Sequence, residues 1–160
     1  MVAAASAAAA RVADGDMKTK HFLAKVDDAK VVAAIEAAEL KSSGEIRVFV
    51  SNELIEDVMT SAQAQFTKLG MTNTKHRNGV LLFFAPKTQR FAVIGDQGVH
   101  EKCGQPFWDE TRALMTERLK AGHFTDAIVA AVQKIGDLLA QHFPRDPGDI
   151  NELPNQVARD

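Results

Sequence analysis

The spacing of hydrophobic residues divides the chain into segments with two different periods. Four segments repeat their apolar residues at intervals of three and four, as amphipathic helices do. These predicted helices run from Asp27 to Lys41, Ile55 to Leu69, Pro106 to Lys120 and Asp126 to His142. A glycine or proline follows each segment within a few residues, which is typical of helix ends.

Three shorter segments carry the pattern of strands. Glu45–Val50 alternates strictly between polar and apolar residues, which predicts a strand with one buried face. Val80–Ala85 is a continuous apolar run, which favours a strand buried on both faces. Pro86–Gln89 connects it to the strand Arg90–Ile94 at a length that suits an antiparallel hairpin. The helix between the first two strands predicts a right-handed βαβ crossover.

This order of elements predicts an α/β fold. We expect a three-layer α/β/α sandwich whose small mixed central sheet, of about three to four strands, is flanked by about four helices. At 160 residues the chain fits one domain, which we place at residues 18–157. Residues 1–17 are predicted to be a flexible alanine-rich extension, in which alanine favours a marginal helix that frays.

The composition and net charge of the chain argue against several classes of function. The net charge of -2 and the scattered Lys and Arg residues argue against a nucleic-acid-binding surface. The single Cys103 excludes an intramolecular disulfide and a cysteine-based zinc site. The start of the chain lacks the basic and leucine-rich parts of a secretory signal, and no apolar run approaches the roughly 20 residues that span a bilayer. We therefore expect a soluble, cytoplasmic protein.

The most informative polar segment is Gly95-Asp96-Gln97-Gly98, directly after a predicted strand. Open α/β sheets bind ligands at the carboxyl ends of their strands, and a carboxylate such as Asp96 suits Ca²⁺ or Mg²⁺. The alternative is a turn in which Asp96 accepts backbone N–H bonds. Glu45 and Asp109 could join Asp96 if the fold brings them together. Their own alternatives are a solvated strand end for Glu45 and a favourable position near a helix N-terminus for Asp109.

The other reactive side chains are weaker indications of a functional site. The five histidines show no metal-ligand spacing, and a structural role is the alternative even for His100, which follows Gly98 closely. Lys102 could lower the thiol pKa of Cys103, although no histidine is placed to activate it. Phe107 and Trp108 are typical of core residues. No sequence motif of a nucleophilic hydrolase or a nucleotide-binding loop is present.

Three arginines are candidate phosphate ligands, because a guanidinium can bind a phosphate through two hydrogen bonds. They are Arg47, Arg77 and Arg90. Solvated charges at strand edges explain them equally well.

An ordered set of segments resembles the TPM-domain family, which is named from thylakoid-lumen phosphatase, photosystem II repair and acetylcholine-receptor auxiliary proteins. The main segments are Ser43–Val48, Thr74–Leu82 and Phe91–Val99. Three further segments resemble those of the short soluble bacterial branch of the family: Phe107-Trp108, His142–Pro144 and Asn151–Pro154. The resemblance extends over about residues 18–157.

The resemblance implies an α/β/α sandwich and, as in some family members, binding of divalent cations and weak acid phosphatase activity. Asp96 matches the acidic position of the family's strand-end loop and becomes the first candidate metal ligand, followed by Glu45 and Asp109. The family also includes auxiliary proteins. A non-catalytic interaction module that assists assembly or repair of a larger complex is therefore the alternative function.

Overall fold

The helices and strands follow the hydrophobic pattern over most of the chain. The computed structural model describes residues 6–11, 22, 25–145 and 154–160. Its helices are α1 (Asp28–Glu39), α2 (Val58–Lys68), α3 (Gln97–Lys120) and α4 (Phe124–His142). Its strands are β1 (Ser6–Arg11), β2 (Glu45–Val50), β3 (Gly79–Ala85), β4 (Arg90–Gly95) and β5 (Ala158–Arg159). Within these ranges, no helix combines the length and the apolar character needed to cross a membrane.

The strands form one mixed sheet in the order β1-β4-β3-β2-β5. β2 and β3 are parallel neighbours with α2 between them in the chain, and β3 and β4 form an antiparallel hairpin. Both pairings confirm the sequence-based predictions. The described residues contain five strands rather than the expected three to four, because β1 and β5 pair with the two outer edges.

The alanine-rich segment Ser6–Arg11 is a strand, so the expectation of a helix there is wrong. β1 pairs antiparallel with β4, from Ser6 opposite Gly95 to Arg11 opposite Arg90. An isolated helix of this length is marginal in water even for alanine, whereas the edge of β4 offers a complete row of hydrogen-bonding partners. Ala8 is buried in the main hydrophobic core. The rest of the predicted extension, at residues 1–5 and 12–17, lies outside the described residues.

The sheet separates two hydrophobic layers, which confirms the three-layer sandwich. One layer joins the sheet to α1, α3 and α4, and includes Val48, Trp108 and Ile135. The other joins the opposite face of the sheet to α2 through Phe66 and Phe83. Every residue of β3 is buried, because this central strand has helices over both faces.

The third helix starts at Gln97 rather than at Pro106, and this changes the interpretation of the glycine-rich segment. Gly95 ends β4, Asp96 is the N-cap residue of α3, and Gly98 belongs to its first turn. The helix is interrupted at Gly104, whose φ of 71° is left-handed. The predicted loop is therefore the junction between a strand and a helix.

Candidate functional site

Two of the three predicted acidic residues lie at the same end of the sheet. Glu45 begins β2 opposite Gly79, the first residue of β3. Because β4 is antiparallel to β3, its last residue also reaches this end, where the Asp96 N–H donates to the Gly79 carbonyl at 2.9 Å. The shared end holds the starting points of β2 and β3. Asp96 therefore follows the carboxyl end of its own strand, as predicted, but lies beside the amino ends of β2 and β3.

The carboxylate of Asp96 is fully buried and its oxygens are engaged. Oδ2 accepts from Nε of Arg77 at 2.7 Å, and Oδ1 accepts from Nη2 of Arg77 at 2.8 Å and from the Gln97 N–H at 2.8 Å. This arrangement matches the turn alternative, in which Asp96 accepts backbone N–H bonds. A cation would reach the carboxylate only after Arg77 had moved aside. The hydrogen bonds to Asp96 raise the pKa of Arg77, because they stabilise its charged form.

The loop 74–78 is held against the start of α3. Thr74 Oγ1 accepts from the Asn78 N–H at 3.2 Å, and the Gly98 N–H donates to the Arg77 carbonyl at 2.9 Å. A Cβ on Gly98 would lie 2.4 Å from the carbonyl oxygen of His76, so only glycine allows this approach. Arg77 has a φ of 51°, a conformation that costs a non-glycine residue about 1–3 kcal/mol. The Asp96 ion pair and the Gly98 contact hold Arg77 in this conformation.

Glu45 is buried rather than solvated, and its carboxyl group meets that of Glu39 at the end of α1. Oε2 of Glu39 accepts from the Ile46 N–H at 2.9 Å, and the Glu39 carboxyl group also hydrogen-bonds to that of Glu45. Burial, together with the nearby Glu45 carboxyl, raises the pKa of Glu39 to about 8. At neutral pH this pair of carboxyl groups therefore retains a proton.

Glu39 is not among the residues that the sequence pattern indicated, although a signal was present. A carboxylate in the last turn of a helix faces the negative end of the helix dipole, which is an unfavourable position. The last turn of α1 contains no basic residue to offset it. Arg145 approaches the same helix end, where its Nη1 donates to the Glu39 carbonyl at 2.9 Å. An open cleft beside the pair is lined by Glu36, Glu39, Leu40, Arg145 and Asn155.

Asp109 is exposed on α3, where its Oδ1 accepts from Nε2 of Gln105 at 3.1 Å. Over the described parts of the chain, no group of three His, Cys, Asp or Glu residues is arranged to hold a metal ion. The structure thus brings Glu45 and Asp96 to one end of the sheet without forming a three-acid cluster with Asp109.

The other candidate side chains have structural surroundings. His100 accepts at Nδ1 from the indole N–H of Trp108 at 3.2 Å, and Trp108 is fully buried. Cys103 is half-buried, and burial raises its thiol pKa to about 11. The expectation that Lys102 lowers this pKa is therefore wrong, because desolvation of the thiolate dominates.

The three arginines also differ in their surroundings. Arg77 binds the Asp96 carboxylate, and Arg90 pairs with the exposed Glu56 at 3.4 Å. Arg47, in contrast, is only 8% exposed. A solvated strand-edge charge is therefore the wrong description of Arg47.

Comparison with known proteins supports one family. The family model described as the TPM domain matches residues 17–138. The fold is similar to the NMR structure of the BA42 protein from the psychrophilic bacterium Bizionia argentinensis, with a TM-score of 0.77 and 38% sequence identity. The match covers 83% of this chain and 92% of that protein. No match is found among curated proteins. The matched segment includes both Glu45 and Asp96, and the chain belongs to the TPM-domain family.

Proposed function

We propose that this chain binds a divalent cation, Mg²⁺ or Ca²⁺, through the carboxylates of Glu39 and Glu45. The observation that carries the proposal is the contact between two buried carboxyl groups. Like charges in a buried position oppose each other's ionisation. A divalent cation removes this opposition by neutralising both charges, and the two facing carboxylates offer it oxygen ligands once their shared proton has left.

The available ligands fit Mg²⁺ directly. Mg²⁺ is usually bound by one or two carboxylates and keeps several of its waters, whereas Ca²⁺ takes six to eight oxygens. Asn78 supplies a further oxygen near the pair, since its carbonyl accepts from the Glu45 N–H at 3.3 Å and its side-chain Oδ1 is buried without a partner in the described region. With so few protein ligands, we expect a weak site, with a Kd of about 10⁻⁴ to 10⁻³ M.

Asp96 acts in this proposal as a positioning residue. Its ion pair with Arg77 holds the loop 74–78, and Asn78 is the last residue of that loop before β3. Direct ligation by Asp96 remains a separate hypothesis, which requires the cation to replace Arg77. Asp109 lies on the exposed surface of α3 and is the third candidate ligand for the same titration.

The proposed activity is weak hydrolysis of phosphate esters, as the resemblance to the TPM family implies. A bound cation would polarise a phosphoryl oxygen or activate a water molecule, so a nucleophilic side chain is not required. The contribution of this chain would be to hold the cation at a carboxylate pair beside the first residues of β2, which β5 leaves unpaired. The Ile46 N–H fixes one of these carboxylates in place.

Titration of Mg²⁺ and Ca²⁺ into ¹⁵N-labelled protein tests the cation site. We expect shifts centred on Glu39, Glu45 and Ile46, and binding at least roughly tenfold weaker in Glu39→Gln and in Glu45→Gln. Glu36→Gln is the matched control, because Glu36 is exposed on the same helix and lines the same cleft. Equal binding by wild type and both pair variants would exclude the pair as the site.

The same titration separates the three predicted ligands. If Asp96 is a direct ligand, Asp96→Asn abolishes binding and added cation releases the Arg77 Nε–H resonance from its hydrogen-bonded position. If Asp96 only positions the loop, binding weakens without that change in the Arg77 resonance. Asp109→Asn is expected to bind like the wild type. Phosphatase assays of the same variants with Mg²⁺ present then show whether turnover depends on the cation site.

A further inference from the structure

Arg47 occupies an unusual position for an arginine. It lies in the middle of β2, opposite Leu81 of β3, and its residue is 8% exposed. Because side chains alternate along a strand, Arg47 shares a face with Phe49, which packs in the layer between the sheet and α2. The guanidinium therefore belongs to the side of the sheet that α2 covers.

Arg47 forms no ion pair in the described part of the structure. The arginine ion pairs found there involve Arg77, Arg90 and Arg159 instead. The Nε atom of Arg47 is buried without a hydrogen-bond partner, and burial lowers the pKa of its guanidinium. An arginine nonetheless remains protonated in proteins, so the charge persists. A buried charge without a partner is costly unless an anion binds beside it.

A cleft begins at Phe49, the next residue after Arg47 on the same face of β2, and Arg47 itself lies just outside its lining. Phe49 and Phe83 lie in its floor, with their rings stacked at a centroid distance of 5.5 Å. Gln65 and Lys68 of α2 line its other side. The hydroxyl of Ser51 is also in the lining, together with the acidic residues Glu53 and Asp160.

The carboxylate of Asp160 already accepts two hydrogen bonds. Asp160 accepts from Oγ of Ser51 at 2.5 Å and from the Asn52 N–H at 2.6 Å. These bonds hold its carboxylate at the Ser51 end of the cleft, just after the last residue of β2. Lys68 is exposed on α2 and contributes the positive charge in the lining of the cleft.

We propose that Arg47 is the anion-binding residue for a phosphate monoester, with Lys68 as a second cation and the Phe49 and Phe83 rings as the surface for its organic group. A guanidinium matches phosphate because it donates two parallel hydrogen bonds to adjacent oxygens. The choice of substrate class rests on the proposed phosphatase function. Glu45 and Arg47 are two residues apart on the same strand face, roughly 7 Å along the strand, so the anion would bind next to the proposed cation ligands.

The test measures phosphate binding without turnover and without a divalent cation. Inorganic phosphate and phenyl phosphate are titrated into the ¹⁵N-labelled full chain at constant ionic strength. We expect saturable shifts of the Arg47 Nε–H and of amides in β2 and α2, with tighter binding of phenyl phosphate because its ring contacts the apolar floor. Arg47→Met should weaken both ligands at least roughly tenfold, and Arg47→Lys should bind at an intermediate level, since it retains the charge without the planar fork.

Controls separate this site from general charge effects and from the cation proposal. Arg118→Met removes an arginine from α3 and should bind phosphate like the wild type. Without phosphate, Arg47→Met should melt at a higher temperature than the wild type, because the uncompensated charge is gone. Glu45→Gln should retain phosphate binding even though it loses the proposed cation site. Absence of saturable shifts in the wild type, or unchanged binding in Arg47→Met, would overturn the proposal and leave the cation site untouched.

Discussion

Asp96 and Arg77 are joined by two hydrogen bonds, from Nε at 2.7 Å and from Nη2 at 2.8 Å. The two partners differ in exposure, because the side chain of Asp96 is 0% exposed whereas that of Arg77 is 41% exposed. The pair connects the loop before β3 to the N-cap of α3, two elements that the chain separates by the β3–β4 hairpin. It therefore organises the end of the sheet at which Glu45 lies.

Because the two side chains differ in exposure, we expect mutation of Arg77 and mutation of Asp96 to lower the stability by different amounts. Arg77→Met leaves a buried carboxylate without its charged partner and should lower the free energy of unfolding by about 3 kcal/mol. Asp96→Asn leaves a guanidinium that reaches water, so we expect a loss of about 1–2 kcal/mol. Urea unfolding of both variants measures the difference. A larger loss in Asp96→Asn than in Arg77→Met would contradict this account of the pair.

The raised pKa of Glu39 predicts a stability that falls as the pH rises. Its pKa is about 8 in the folded protein against an ordinary value of 4.5. Between these values the folded protein binds a proton that the unfolded chain has released. This contribution to stability is therefore fully present below the lower value and is lost as the pH rises through the higher one.

Urea unfolding from about pH 4 to about pH 9 measures this dependence. Glu39→Gln should flatten the decline, because its amide carries no titrating proton, whereas the exposed Glu36→Gln should follow the wild-type curve. Added Mg²⁺ should restore stability most strongly at the alkaline end, where both carboxylates are ionised. A wild-type curve that rises between neutral and alkaline pH would refute the assignment.

Local sequence patterns predicted the parts of the fold that local interactions determine. α4 and the β3–β4 hairpin are examples, because apolar periodicity and the turn segment specify them without knowledge of distant residues. β1 could not be predicted in this way. Its alanines have little strand preference of their own, and they become a strand only because β4 presents an open edge.

The site was predictable only as separate residues. Asp96 and Glu45 were identified, and the structure places them at one end of the sheet. The partners that decide their chemistry come from elsewhere in the chain: Arg77 lies 19 residues before Asp96, and Glu39 ends a different element from Glu45. The reversed direction of β4 also moved Asp96 to the starting end of β2 and β3. Such pairings depend on tertiary packing, which one sequence does not reveal.

Gly95 should tolerate no side chain. A Cβ at this position would lie 2.3 Å from two ring atoms of Trp108, which is fully buried. We expect Gly95→Ala to lower the free energy of unfolding by about 3 kcal/mol, since neither the strand nor the indole can move without disturbing the core. The double variant Gly95→Ala/Trp108→Phe should lose less than the sum of its single changes, because the smaller ring leaves room for the methyl group. Additive losses in thermal or urea unfolding would show that the contact is not the cause.

The strand at the start of the chain can be tested through Ala8. This residue is 5% exposed and packs in the main core, whereas Arg11 is exposed at the end of the same strand. Ala8→Asp places a charge among apolar side chains and should lower the free energy of unfolding by about 3 kcal/mol or more. Arg11→Ala should change it by less than about 0.5 kcal/mol. Hydrogen exchange provides the direct readout, because amides of β1 that pair with β4 should exchange slowly in the wild type and rapidly in Ala8→Asp. Rapid exchange throughout residues 6–11 of the wild type, with no loss of stability in Ala8→Asp, would support a flexible extension instead of a strand.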